Sequence, residues 1–189
     1  MERIADYEID PLFLRRWSPR AMNAEPLSQE ELMRLFEAAR WAPSSGNSQP
    51  WRFVYARAGT PHFDRFLDLL AEGNKPWCAR AGALVVALSK KVSDSGRPLP
   101  THSFDTGAAW MCLALEGSFL GLVVHGMAGF DYVRAREAVG ASDQYDVEAM
   151  IAIGHPGRLE DLAEPYRARE APNGRRPATE SAFEGSLPG

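Results

Sequence analysis

Residues 103–122, SFDTGAAWMCLALEGSFLGL, are apolar on nearly every side of the helix they would form. A helix with no face reserved for water has to be wrapped by other elements, and its glycines and alanines let those neighbours come close. A bilayer is not the expected wrapping. Glu116 interrupts 106–130, the most apolar stretch, and no uncharged run reaches the roughly 18–20 residues that a membrane span needs. The chain is expected to fold as a soluble protein around this central helix. With 189 residues, 45% of them hydrophobic, it is long enough to bury a single core, so residues 1–189 are expected to form one domain.

Charge and cysteine usage narrow the partners. The net charge of −4, from 21 basic and 25 acidic residues without a concentrated Lys/Arg block, argues against nucleic acid or an anionic membrane. Cys78 and Cys112 lie far apart and form no CxxC, which suits two reduced thiols in a reducing compartment. The first residues, MERIADYEID, are polar and acidic where a signal peptide would be basic and then apolar, so a cytoplasmic location is expected.

Around the apolar helix the pattern predicts short elements. Asp10 and Pro11 make an N-cap and first-turn pair for a short helix ending in arginines. Ser28, with Glu31 three places on, is a capping box; Leu32, Leu35, Phe36 and Ala39 then share one helical face until Pro43 stops it. WRFVYA, from residue 51, is a strand, Thr60 and Pro61 cap a helix through Phe63, Phe66, Leu67 and Leu70, and ALVVAL at 83–88 is a buried strand. KKVSDSGRPLPTH is expected to be a mobile polar loop. VVHGMAGFD predicts a strand and a glycine-containing turn, Asp131 caps a helix that closes at Gly140, and VEAMIAIG is the last strand. From about residue 158 the chain becomes rich in Pro, Arg and Glu, an extended tail expected to be loose unless it packs on something such as another subunit. About five helices against four strands, without strict βαβ alternation, make the fold class α+β.

Much familiar chemistry is missing from this sequence. His62, His102, His125 and His155 show no HExxH or paired spacing, so no protein-bound metal is expected. There is no P-loop and no GxGxxG, and GSFLG at 117–121 has its serine one place early for a nucleophile elbow. The polar motifs that remain each admit two readings. Arg15, Arg16 and Arg20 around Ser18, in RRWSPR, suit either a solvated helix end or a phosphate site with several charge-assisted donors. NGRRP at 173–177 is an ordinary loop in isolation, or a second arginine pair on the same phosphate. HGMAGFD is a strand-to-helix turn in which Gly129 also lets backbone N–H groups approach a ligand ring. WAPSSGNSQPWRF, between two tryptophans, is either a solvent turn or a loop that folds its amides and hydroxyls around something flat, polar and buried.

Taken in order and over nearly the whole chain, RRWSPR, EAARWAPSSGNSQPWRFV, the later Gly-Asn, GLVVHGMAGFD, MIAIGHPG and the terminal RRP resemble the nitroreductase-like family of FMN-dependent oxidoreductases. The string APSSxNSQPWRF is the most specific piece. The resemblance implies an α+β sandwich, a central mixed or antiparallel sheet flanked by helices, and an intertwined homodimer with two FMN molecules at the subunit interface. By position, Arg16, Trp17, Ser18 and Arg20 would hold the phosphate, ribityl and pyrimidine edge, joined by Arg175 or Arg176 from the tail. Pro43, Ser44, Ser45 and Asn47 would come from the partner subunit, with Gln49 as a neighbour. Asn74 fits a family asparagine at the pyrimidine end, and Met127, Ala128 and Gly129 would lie along the isoalloxazine and offer backbone hydrogen bonds.

The implied activity is ping-pong: NADH or NADPH reduces FMN, then a nitroaromatic, quinone or enone takes the electrons. The hydride passes at N5 with no catalytic side chain, and a cation such as Arg20 favours the reduced flavin, which is negative near N1 and O2. Some relatives carry a lysine where this chain has Trp77, which leaves Arg20 more alone in that role. The middle loop, SDSGRPLPTH, is short, which implies an open pocket with Trp77, Trp110, His102 and Phe104 as candidate walls. The same resemblance admits a specialised relative that dehalogenates, oxidises or fragments its flavin, and a non-enzymatic dimer that binds or stores it.

Overall fold

Alternation along the strands divides the protein into layers. The computed structural model describes residues 3–188. Four strands, β1 (Trp51–Arg57), β2 (Ala83–Lys90), β3 (Val123–Met127) and β4 (Tyr145–Gly154), form one sheet in the order β1-β2-β4-β3, antiparallel throughout. Successive side chains of a strand face opposite ways. Leu84, Val86 and Leu88 of β2, with Met150 and Ala152 of β4, therefore enter one hydrophobic cluster, and Ala83, Val85 and Ala87, with Ile151 and Ile153, enter the other.

Each face is covered by its own helices. The first carries Phe63 and Phe66 of α3 (Pro61–Asp68), Trp77 and Cys78 of α4 (Lys75–Cys78) and Ala135 of α6 (Tyr132–Ala138). The second carries Leu32, Leu35 and Ala39 of α2 (Gln29–Arg40) and Ala109, Leu113 and Ala114 of α5 (His102–Phe119). Helix, sheet and helix are stacked, an α+β architecture. α1 (Pro11–Arg15) precedes the sheet and α7 (Glu164–Arg167) follows it.

Most helix starts are where the capping residues put them. Ser28 and Glu31 close a reciprocal capping box on α2, Asp10 accepts from the Leu12 N–H at 2.8 Å, and Asp131 accepts from the Arg134 N–H at 3.0 Å. Thr60 departs from its expected role: its hydroxyl donates back to the Arg57 carbonyl at 2.7 Å, and Pro61 alone opens α3.

α5 is the larger departure. One face is buried through Ala109, Leu113, Ala114 and Gly117, where a Cβ on Gly117 would strike the Val124 side chain. The opposite face is bare: Phe104 is 80% and Phe119 69% exposed, and Met111 is open as well. Apolar character all round does not mean burial all round within this chain. The 91–101 loop is braced by a bridge between Val92 and Pro98 and by the Leu99 N–H on the Lys91 carbonyl at 2.7 Å. The tail also packs further than expected. Leu162 joins the core, and Tyr166 donates to the Gly73 carbonyl at 2.9 Å. No helix among the described residues is long and apolar enough to cross a membrane.

Candidate functional site

Five arginines from distant parts of the chain, Arg3, Arg16, Arg20, Arg169 and Arg175, meet at one cavity. It measures about 630 Å³, and its lining includes Arg3, Arg16, Ser18, Arg20, His125 and Arg175. Arg3 holds the backbone of this region in place. It donates to the carbonyls of Leu14 at 3.0 Å, Arg16 at 2.6 Å and Asn173 at 3.0 Å. Burial first, and then the charges of Arg3 and Arg175, pull the Arg16 guanidinium below its ordinary pKa. Arg3 is lowered in the same direction, by burial and then by Arg175. Like charges so arranged repel one another, and an anion among them relieves the repulsion. Ser18 adds a hydroxyl, which accepts from Arg16 at 3.4 Å.

The tail residues separate cleanly. Arg175 is braced by Asn173 Oδ1 at 3.3 Å and the Gly174 carbonyl at 3.0 Å and lines the cavity. Arg176 is exposed and faces Glu180 at 4.0 Å. Trp17 lies between this cavity and a second one of about 420 Å³, whose apolar walls include Ala114, Leu122, Val123 and Val124.

Behind the cations lies an aromatic layer, in which Trp77 is buried and only His125 reaches the cavity. The Arg20 guanidinium lies over the Trp77 ring, 5.9 Å from its centroid, and the Trp77 and His125 rings are 4.7 Å apart. His125 Nδ1 is 2.8 Å from the Pro19 carbonyl, which can only accept, so Nδ1 carries the proton. Burial pushes the His125 pKa down, partly opposed by that hydrogen bond, and the ring is therefore neutral near pH 7 with Nε2 as an acceptor. The Trp77 indole N–H is buried without a partner among the described residues. Burial also pushes the Cys78 thiol well up, which makes it an inert neighbour.

The chain after β3 is zipped to the end of α3. Ala71 N–H and Asn74 Nδ2 both donate to the Gly129 carbonyl, at 2.9 and 3.0 Å, and the Asp131 N–H donates to Leu69. A Cβ on Gly129 would stand 2.7 Å from Asn74 Nδ2, so a larger residue there would push the Asn74 amide off the Gly129 carbonyl. Ala128 and Gly129 are exposed, whereas the Met127 side chain is buried, its sulfur 3.4 Å from Cys78.

The 43–49 loop lies elsewhere. None of its residues lines the cavity with Arg16 and Arg20. It is pinned to the first turn of α5, where buried Asp105 accepts from the Ser45 N–H at 3.1 Å and from Thr101 at 3.0 Å. Trp17 instead shares a cavity with Ser118, near the other end of α5. At 1.5 Å rise per residue the two anchor points are roughly 20 Å apart. Gly46, Asn47 and Gln49 take left-handed φ values of 57°, 53° and 46°, a conformation uncommon for glutamine and held here by the Gln49 N–H on Ser44 Oγ at 3.0 Å. Pro43, Ser45, Asn47 and Gln49 are exposed.

Similarity to known proteins agrees with this geometry. The family model described as nitroreductase family matches residues 14–76, which carry both the arginine segment and the 43–49 loop. A solved structure described as an oxidoreductase containing FMN is 42% identical, covers 99% of this chain and 96% of its own, and superposes with a TM-score of 0.94. The chain belongs to the nitroreductase family. A Thermus thermophilus NADH dehydrogenase is 27% identical over 76% of this chain and 84% of its own length. The structure of a nitroreductase family protein from Streptococcus pneumoniae, 18% identical, covers 92% of this chain and 98% of its own with a TM-score of 0.72, which bears on the fold alone.

Within this nitroreductase-family chain, Arg16, Trp17, Ser18, Arg20 and Arg175 come together at the cavity. Asn74 and Gly129 meet beyond it, Pro43 to Gln49 stand apart, and Arg176 turns away. Sequence reasoning missed Arg3, Glu170 and Asp105 as organising residues. His125 did stand inside the quoted HGMAGFD motif, as part of a turn rather than as a lining residue.

Proposed function

We propose that the protein is an FMN-dependent NAD(P)H oxidoreductase that works as a homodimer in the cytoplasm, with one flavin at each of two interface sites. The observation that carries this reading is the convergence of Arg3, Arg16 and Arg175 on a cavity of about 630 Å³, a volume suited to a small cofactor. The donor set fits FMN from end to end. Arg16, Ser18, Arg175 and also Arg3 would take the phosphate, Trp17 would flank the ribityl chain, and Arg20 and Asn74 would meet the pyrimidine edge. Met127, Ala128 and Gly129 would offer backbone groups along the ring, with Ala128 and Gly129 already open. Arg176 has no part in this assignment, since it faces Glu180.

The chemistry that FMN supplies there is two-electron, ping-pong hydride transfer through its N5, from NADH or NADPH to a nitroaromatic, quinone or enone-type acceptor. The chain's own contribution is placement and electrostatics, and no side chain is assigned a proton-transfer role. Neutral His125 keeps Trp77 and the Pro19 backbone in register beside Arg20.

A second chain would complete the site. Pro43, Ser44, Ser45, Asn47 and Gln49 would reach the flavin held by the partner, which would cover them. The bare Phe104, Met111 and Phe119 of α5, with Trp41 74% exposed at the end of α2, give such a dimer an apolar face to bury. Free thiols at Cys78 and Cys112 suit a reducing cytoplasm.

The direct test is the colour, size and reducibility of the purified protein. A yellow dimer whose flavin absorbance bleaches with NADH or NADPH and recovers with a quinone or nitroaromatic meets the expectation. A colourless protein that ignores added FMN overturns the cofactor, and bound FMN that no nicotinamide reduces overturns the activity.

A further inference from the structure

Glu170 lies in the tail, and its side chain is only 6% exposed. Its Oε1 accepts two backbone hydrogen bonds, from the Arg20 N–H at 2.6 Å and the Ala21 N–H at 2.8 Å. Its Oε2 accepts none among the described residues, although it is buried, and stands 3.9 Å from Arg20 Nη1. One carboxylate thus fixes the backbone of Arg20 and faces its charge. The contact is an ion pair without a hydrogen bond, and among the described residues the Arg20 guanidinium donates no hydrogen bond within the chain. Its N–H groups therefore remain available to a ligand, while the field they project is reduced by the buried negative charge behind them.

We infer that Glu170 is the positioning residue of Arg20 and sets how strongly that cation favours reduced flavin. The inference rests on the FMN reading above. The two oxygens have separable tasks: Oε1 holds the 20–21 backbone against the site, and the charge shared with Oε2 offsets Arg20. Holding the backbone governs affinity for FMN. Offsetting the charge governs the potential, because the negative charge of the reduced flavin develops near the cation.

Three variants separate the tasks, read by FMN titration and by redox titration of the bound flavin. Glu170→Gln retains an acceptor for both N–H groups and loses the charge. It is expected to bind FMN as the wild type does and to raise the reduced-to-oxidised ratio about tenfold at a fixed potential, or ~30 mV for a two-electron couple. Glu170→Ala loses both tasks and is expected to bind FMN about tenfold more weakly. Glu170→Asp retains the charge on a shorter arm, so affinity falls while the potential stays near the wild-type value.

A Gln variant whose bound FMN has the wild-type potential overturns the inference and leaves Glu170 as a structural clamp. Should the Gln variant fail to fold, an Asp variant with a potential shifted as far as the Ala variant's overturns it equally. Wild-type protein that takes up no FMN defeats the cofactor reading, and this inference with it, which distinguishes the two failures.

Discussion

The arginine cavity and the 43–49 loop are both polar, one cationic and the other uncharged, and are finished in opposite ways. At the cavity, elements from both ends of the chain close on one another: Arg3 ties the 14–16 backbone to Asn173, and Glu170 ties the 20–21 backbone to the tail. At the loop, the Ser45 and Asn47 side chains are exposed and hydrogen-bond to nothing within the described chain, while Asp105 beneath holds the backbone in shape. A strained, exposed loop with idle side chains is open to a contact from outside its own chain. On the proposed reading, the cavity would be one half of a site and the loop would supply the other half to another copy.

The largest effect expected from breaking this contrast is at Arg16. Arg16→Ala removes a charge-assisted donor from the cavity and should weaken FMN binding roughly 10–100-fold by titration, while thermal stability changes little. Asp105→Ala attacks the other region without touching the cavity. With the Ser45 N–H and the Thr101 hydroxyl unpaired, about 1–3 kcal/mol of stability should be lost in urea unfolding, and FMN retention should fall as the loop loosens. Arg175→Ala should cost about tenfold in FMN affinity and Arg176→Ala nothing measurable, since only Arg175 lines the cavity. Equal losses from the two arginines would remove the distinction between them.

The smallest effect is the pH response of His125. Burial holds its folded pKa below the ordinary 6.5, so the unfolded chain binds a proton more readily. Its contribution to stability is present above the unfolded value and is lost as the pH falls through the folded one. Urea midpoints at about pH 7.5 and about pH 5 should therefore differ less in His125→Gln than in the wild type.

How far the sequence reaches depends on the range of the interactions. Caps are local, so Asp10, Ser28 with Glu31, and Asp131 mark their helices within a few residues, and the apolar runs of β2 and β4 mark central strands. The one-turn helices α4 and α7, four residues each with proline in second place, are too short to show a period and went unseen. RRWSPR was legible because the cations are neighbours. Arg3 and Glu170 were not, because each acts on backbone far away in sequence, Glu170 on a residue 150 positions back. The bare face of α5 marks another boundary: composition shows that a side chain avoids water, and does not show whether its own chain or another copy covers it.

Subunit complementation tests the central claim, a flavin site shared between two chains. Tagged Arg16→Ala chains would be combined with tagged Ser45→Ala/Asn47→Ala chains, and the mixed dimer purified through both tags. If each site takes its arginines from one chain and its loop from the other, one site of the mixed dimer carries both defects and the other carries neither. Half the wild-type content of tightly bound FMN is then expected, from two parents that each bind it weakly. A mixed dimer in which no site recovers wild-type affinity would mean that arginines and loop serve the same flavin from the same chain, and would contradict the account.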